Sequence, residues 1–162
     1  MGRPYRQGPP LSRTESHRKN GQMKDMRIAL PALWIFMVLN YLYCDVLSLF
    51  DPAVLRDVMA GHASGGTVQI TPEFLLASSV LMEIPMAMIL LTRVLGHTLS
   101  RWANVASAAF MIVVQIASLF VGTPASYYVF FTVVEVGTLV LIAALALRWT
   151  GVGRGAVAAV AA

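Results

Sequence analysis

Three acids and two amides stand where a sequence rarely places them. Asp45, Glu83 and Glu135, with Asn40 and Gln115, each lie inside an apolar run long enough to cross a membrane. A charge at the centre of a bilayer costs at least about 2.5–3.5 kcal/mol on insertion scales, so an intramembrane acid is a functional candidate by default. No Lys or Arg lies near them within the runs, so the three acids cannot all be paired internally. Desolvation and like-charge proximity favour holding some of them as neutral acids. A neutral carboxyl can donate a hydrogen bond to Gln115, to Asn40 or to a freed backbone carbonyl. Two readings stay open: a proton- or cation-coupled binding site, or a hydrogen-bond network that joins helices. Asp45 is the shallowest of the three and fits the second reading better.

The elements that must carry these groups are legible from composition. The chain has 162 residues, 57% of them hydrophobic and 12% charged, with a mean hydropathy of +0.70. A soluble domain has about 25% charged residues, so this chain cannot cover a water-facing surface, and an integral membrane protein is expected. Four apolar segments, at about 30–50, 74–95, 102–121 and 127–149, each approach the ~20 residues that a helix needs to cross the hydrocarbon core. Helices are the default because lipid satisfies no backbone group. The first run is too long for the core of a signal peptide and lacks a cleavage motif, so it reads as an uncleaved span. Residues 1–27 are polar, basic and rich in Gly and Pro, and read as a disordered tail; residues 150–162 read as a flexible one.

Boundary chemistry agrees. Thr71-Pro72-Glu73 supplies an N-cap, a proline at the first helical position and an acid in the first turn. Thr123-Pro124 is expected to do the same for the fourth span, and Gly96 to end the second as a C′ residue. Asp51-Pro52 starts a short helix, DPAVLRDVMAG, whose Val54, Leu55, Val58 and Met59 share a side and suit an interfacial helix. Residues 62–69 then read as a flexible loop. All of the 12 Lys and Arg except Arg56 fall on one side of the spans. The positive-inside rule makes that side cytoplasmic, with both termini on it. The same distribution accounts for the net charge of +4 and argues against a nucleic-acid surface. Trp34, Trp102, Trp149 and Tyr127-Tyr128 near span ends read as interfacial belts.

At a rise of 1.5 Å per residue, Asp45, Gln115, Glu135, Glu83 and Asn40 lie between roughly 7 and 15 Å from the outer ends of their spans. Every span thus turns polar at one level. Within span one, Tyr41, Cys44, Asp45 and Ser48 follow helical spacing. Span three carries the stripe Asn104, Ser107, Met111, Gln115, Ser118 and Gly122; span four stacks Thr132, Glu135 and Thr138. In span two Ser79 precedes Glu83 by one turn, and Pro85 frees the carbonyl of Leu81 close to it. Such stripes are what membrane helices turn toward one another.

Other chemistries find little support. One cysteine, Cys44, allows neither an internal disulfide nor a cysteine-based metal site. His17, His62 and His97 are spread over the tail and opposite sides of the membrane. Met82 and Met86 have a spacing that could offer thioethers to copper(I), but methionine is common core filler. No phosphate loop, nucleophile elbow or Ser/His/Asp set is visible, so no catalytic residue, metal or cofactor is expected.

The runs LWIFMVLNYLYCDVLSLFDP (33–52), LMEIPMAMILLTRVL (81–95), RWANV (101–105) and SLFVGTP (118–124) resemble an uncharacterised family of small bacterial four-span membrane proteins, a domain of unknown function. The resemblance covers about residues 26–149. It implies four helices in a bacterial membrane and no particular activity; a looser likeness is to DoxX-type proteins. The expectation is therefore an all-α transmembrane four-helix bundle with a short outer interfacial helix, in the inner membrane. Its partners would be the lipid bilayer, further copies of itself or another membrane protein. The functional readings are a small transporter, with Glu83, Glu135, Asp45, Gln115 and Asn40 as its binding group, or an accessory or structural subunit. A redox or lipid-modifying enzyme would need a bound quinone, haem or lipid.

Overall fold

In the computed structural model, residues 11–63, 66–121 and 124–149 are described, with side chains from residue 25 onward. Five helices and one small hairpin make up these residues. Four of the helices have segments long and apolar enough to cross a membrane: Asp25–Ser48, Pro72–Val94, His97–Ser118 and Ser126–Arg148. The fold is all-α, and its four apolar helices suggest a multi-pass membrane protein.

The first helix, α1 (Leu11–Ser48), has 38 residues. It begins well before the first span, which corrects the expected disorder of residues 11–27; residues 1–10 and 150–162 lie outside the described residues. The physical reason is that extending a helix costs far less than nucleating one. After Pro9-Pro10 the chain holds Arg13, Glu15, Arg18, Lys19, Gln22, Met23 and Lys24, all good helix formers, and no further proline before Pro31.

Asp51 then caps α2 (Pro52–Met59), its carboxylate accepting from the amide of Ala53 at 2.9 Å. No residue of α2 is buried, as expected for a helix lying apart from the bundle. The segment 62–69 is not an open loop. Its ends form β1 (His62–Ala63) and β2 (Val68–Gln69), antiparallel with His62 opposite Gln69. Gly61 and Gly66 make the turns possible, at φ of 80° and 82°.

Helix α3 (Pro72–Val94) starts as its sequence dictates. Thr71 is the N-cap and its hydroxyl accepts from Phe74 N at 3.2 Å. Its end differs from expectation. Gly96 is the N-cap of α4 (His97–Ser118), at φ −59°, and not a left-handed C′ residue. The α3–α4 connection is thus only Leu95 and Gly96, and α4 starts five residues before the apolar run at 102. The last helix, α5 (Ser126–Arg148), starts with Ala125 as N-cap, two residues beyond the expected cap Thr123, which lies outside the described residues.

The spanning helices alternate in direction, and each packs on two neighbours in the order α1, α3, α4, α5 and back to α1. The bundle therefore has a hairpin end, where α2 and the β-hairpin sit, and a turn end, where α3 meets α4. The core runs along its axis through Leu30, Trp34, Met37 and Tyr41 of α1, Met88 of α3, Ala108 and Met111 of α4, and Leu139 and Ile142 of α5. Trp34 and Trp149 are fully buried, so only Trp102, 57% exposed, keeps the surface position expected of all three. Trp149 packs edge-on against His97, with ring centroids 4.9 Å apart.

Candidate functional site

The polar side chains separate into two buried layers, one in each half of the bundle. In the hairpin half, α4 presents Gln115 and Ser118, and α5 presents Tyr128, Thr132 and Glu135. Spacings of three and four residues put each set on one helix face. The Tyr128 hydroxyl donates to Ser118 Oγ at 2.8 Å, and Ser118 Oγ donates to the Gln115 carbonyl at 2.7 Å. The Gln115 amide donates to Thr132 Oγ1 at 3.3 Å and to Glu135 Oε2. Thr132 in turn donates to the Tyr128 carbonyl at 2.9 Å. Glu135 is 1% exposed, fully within the bundle.

This layer is not closed. Glu135 Oε1 is buried and has no hydrogen-bond partner among the described residues, and the same holds for the Tyr41 hydroxyl and for Asn40 Oδ1. Tyr41 and Cys44, both buried on α1, are close enough to Glu135 to feel its charge. Each amide hydrogen of Gln115 has an acceptor, so Gln115 has no further donor to offer Oε1.

Of the five residues singled out in the sequence, Glu135 and Gln115 are directly bonded. Asp45 lies within electrostatic range of Glu135, but its side chain is exposed on the flank of α1. Asn40 is half-buried beside an open apolar groove of about 500 Å³, which it lines with Phe36, Tyr43 and Phe131 between α1 and α5. Glu83 does not join the group. It is exposed, while α3 buries Pro85, Met88 and Thr92 against the bundle. At 100° per residue, Glu83 points about 160° away from both Leu81 and Pro85, so the carbonyl that Pro85 frees lies on the other side of the helix. Met82 and Met86 share this outer side and are not core filler. Among the described residues, no group of His, Cys, Asp and Glu is placed to hold a metal ion.

The turn half holds a layer whose members were not grouped by sequence. Trp34 Nε1 donates to Asn104 Oδ1 at 2.7 Å. Asn104 Nδ2 donates to Thr92 Oγ1 at 3.0 Å and to the Ser100 carbonyl at 2.8 Å. Thr92 also donates to the Met88 carbonyl at 2.7 Å, and Ser100 Oγ to the Thr92 carbonyl at 3.3 Å. All four residues are 0% exposed. The available signal was position along the hairpin: Thr92 and Ser100 stand at similar distances from Leu95-Gly96, so a tight turn sets them opposite each other. Close by, the Arg27 guanidinium donates to the carbonyls of Arg93 and Leu95 at 2.8 and 3.4 Å, closing the end of α3. Between the two layers lie Met37, Ala108, Met111 and Leu139, all buried.

Residues 19–153 match the profile of DUF6326, a family of unknown function. The chain belongs to DUF6326. No curated protein and no solved structure gives a significant match. The match spans every residue of both polar layers, so in this DUF6326 chain the candidate site lies within the family's own domain and not in an appendage.

Proposed function

We propose that the protein is a small proton- or cation-coupled membrane transporter in which Glu135 is the working group. One observation carries this reading. Glu135 is buried in the bundle, one carboxyl oxygen is held by Gln115, and the other is buried without a partner. A network that served only to join helices would gain by satisfying that oxygen, because a buried polar atom left unpaired costs about 1–3 kcal/mol. An oxygen held open at such a cost suits a group that takes up a proton or a cationic ligand during its working cycle. Gln115 fixes the carboxyl, and the Tyr128–Ser118 chain links it toward the hairpin end. The positions of the basic residues support an inner-membrane setting with both termini in the cytoplasm and the hairpin end outside. The role left for Glu83 in this reading is none.

A non-catalytic subunit is the second reading, and the satisfied Trp34–Asn104–Thr92–Ser100 layer favours it. One experiment separates the two. Purified protein in liposomes carrying a pH-sensitive dye is given a pH gradient, and in a parallel run a sodium gradient. Proton or sodium flux is expected, reduced at least about tenfold in Glu135→Gln and unchanged in Glu83→Gln; a tenfold loss corresponds to about 1.4 kcal/mol. Glutamine keeps the shape and an acceptor for Gln115, so the variant should fold. The transporter reading fails if wild type shows no flux above empty liposomes, or if Glu135→Gln carries the same flux.

A further inference from the structure

The face of α3 that carries Glu83 is the least covered part of the bundle. Only 11% of the apolar window of α3 is buried, against 28% to 33% for the other spanning helices. Glu83 is the central residue of the 23 in this helix, about 17 Å from either end. Its side chain is too short to reach water along that distance. Acids in membrane spans almost always face a bundle interior or a water-filled cavity and pair with one another or with backbone carbonyls, and here the bundle interior lies on the opposite side of the helix.

The surroundings of Glu83 form one stripe. Leu76, Ser79, Val80, Ala87 and Leu90 lie within about 60° of it around the helix axis. Leu76, Ser79, Val80 and Leu90 are exposed, and Ala87 is partly so. The two small residues, Ser79 and Ala87, stand one turn before and one turn after Glu83, the arrangement that lets a second helix approach closely. Whatever covers this face must meet a carboxyl group at mid-depth. An acyl chain offers no hydrogen-bonding group there. A carboxyl pair that shares a proton, by contrast, is its own complement, because the acid form donates and the ionised form accepts. Two copies of one chain inserted in the same direction place that group at identical depth.

We propose that this face is the contact between two copies of the chain, with their α3 helices crossing at Glu83 and the two carboxyl groups hydrogen-bonded to each other across a two-fold axis normal to the membrane. The contact is isologous, the commonest kind in homo-oligomers. It leaves the Glu135 layer of each copy intact and does not depend on transport.

The test is self-association of the full chain in lipid. Donor- and acceptor-labelled protein is reconstituted over a range of protein-to-lipid ratios and energy transfer is measured. A dimer isotherm is expected. Glu83→Leu should weaken it at least about tenfold, whereas Glu83→Gln, which both donates and accepts, should retain most of it. In a Cys44→Ser background, Ser79→Cys should form a disulfide-linked dimer on oxidation, and Val133→Cys on the exposed face of α5 should not. Replacing a lipid-facing acid by leucine favours insertion, so loss of association in that variant is not loss of fold. Monomers at every ratio overturn the proposal. So does an isotherm that Glu83→Leu leaves unchanged, or cross-linking no greater at position 79 than at 133. Cross-linking from position 79 in native membranes to a different protein only overturns it in favour of a heterologous partner.

Discussion

Glu83 and Glu135 are the same residue at similar depth in apolar helices, and they meet different surroundings. Depth was readable from sequence because it needs only a count along the helix. The face was readable for α4 and partly for α1, where polar and small residues repeat at three and four positions. It was not readable for α3, which is apolar on every side, so periodicity could not distinguish a core-facing acid from a lipid-facing one. The turn-half layer was missed for a related reason: a tryptophan near a span end has a ready interfacial explanation, and Trp34 is instead the donor to Asn104. Asn104 makes the strongest residue-scale prediction. Asn104→Ala removes the acceptor of a buried indole N–H and a partner of Thr92, and should lower unfolding stability by about 1–3 kcal/mol. Asn40→Ala, whose Oδ1 makes no hydrogen bond, should change it by less than about 0.5 kcal/mol. Denaturant titration of both variants in the same detergent checks the contrast; equal losses would mean that the Asn104 bonds contribute nothing.

At the scale of elements, number, type and order of the spanning helices followed from hydropathy, and the starts of α2 and α3 from the Asp51-Pro52 and Thr71-Pro72 caps. The misplaced boundaries have a shared cause. Hydropathy marks where lipid ends, whereas helical hydrogen bonding continues past that point at little cost. This is why α1 extends back to Leu11 and α4 to His97. Gly96 shows the consequence for a single position. The sequence reading assigned it a left-handed role, yet its φ is −59° and a Cβ placed there would touch nothing within 4 Å. Gly96→Ala should therefore leave stability within about 0.5 kcal/mol of wild type. Gly61, at φ 80°, is the contrasting case. Gly61→Ala should cost about 1–2 kcal/mol locally, seen as faster amide exchange across residues 62–69. Faster exchange at 97–100 in Gly96→Ala would show that the assignment of the turn is wrong.

For the whole molecule, if each of the four apolar helices crosses the membrane once, the turn end and the hairpin end face opposite sides. In a Cys44→Ser background, Gln69→Cys should react with a membrane-impermeant maleimide added outside intact cells, and Thr98→Cys should react only after the cells are opened. The reverse pattern would invert the orientation drawn from the basic residues, and labelling of both from one side would refute the four-span arrangement.

The buried layer of Met37, Ala108, Met111 and Leu139 has an electrical meaning. Asn104 and Gln115 lie about 16 Å apart along α4, and the space between their layers contains hydrocarbon and thioether groups. It behaves as the dielectric of a capacitor whose plates are the two polar clusters. A membrane voltage is worth about 2.3 kcal/mol per elementary charge per 100 mV over its full drop, and it falls mainly where the medium polarises least. A charge moving from the Glu135 layer past Met37 and Met111 would cross the part of that field that falls over this apolar layer. In the proposed transporter, any charge passing from the Glu135 layer toward the turn end must get past Met37 and Met111, which are among the most pliable side chains in the core.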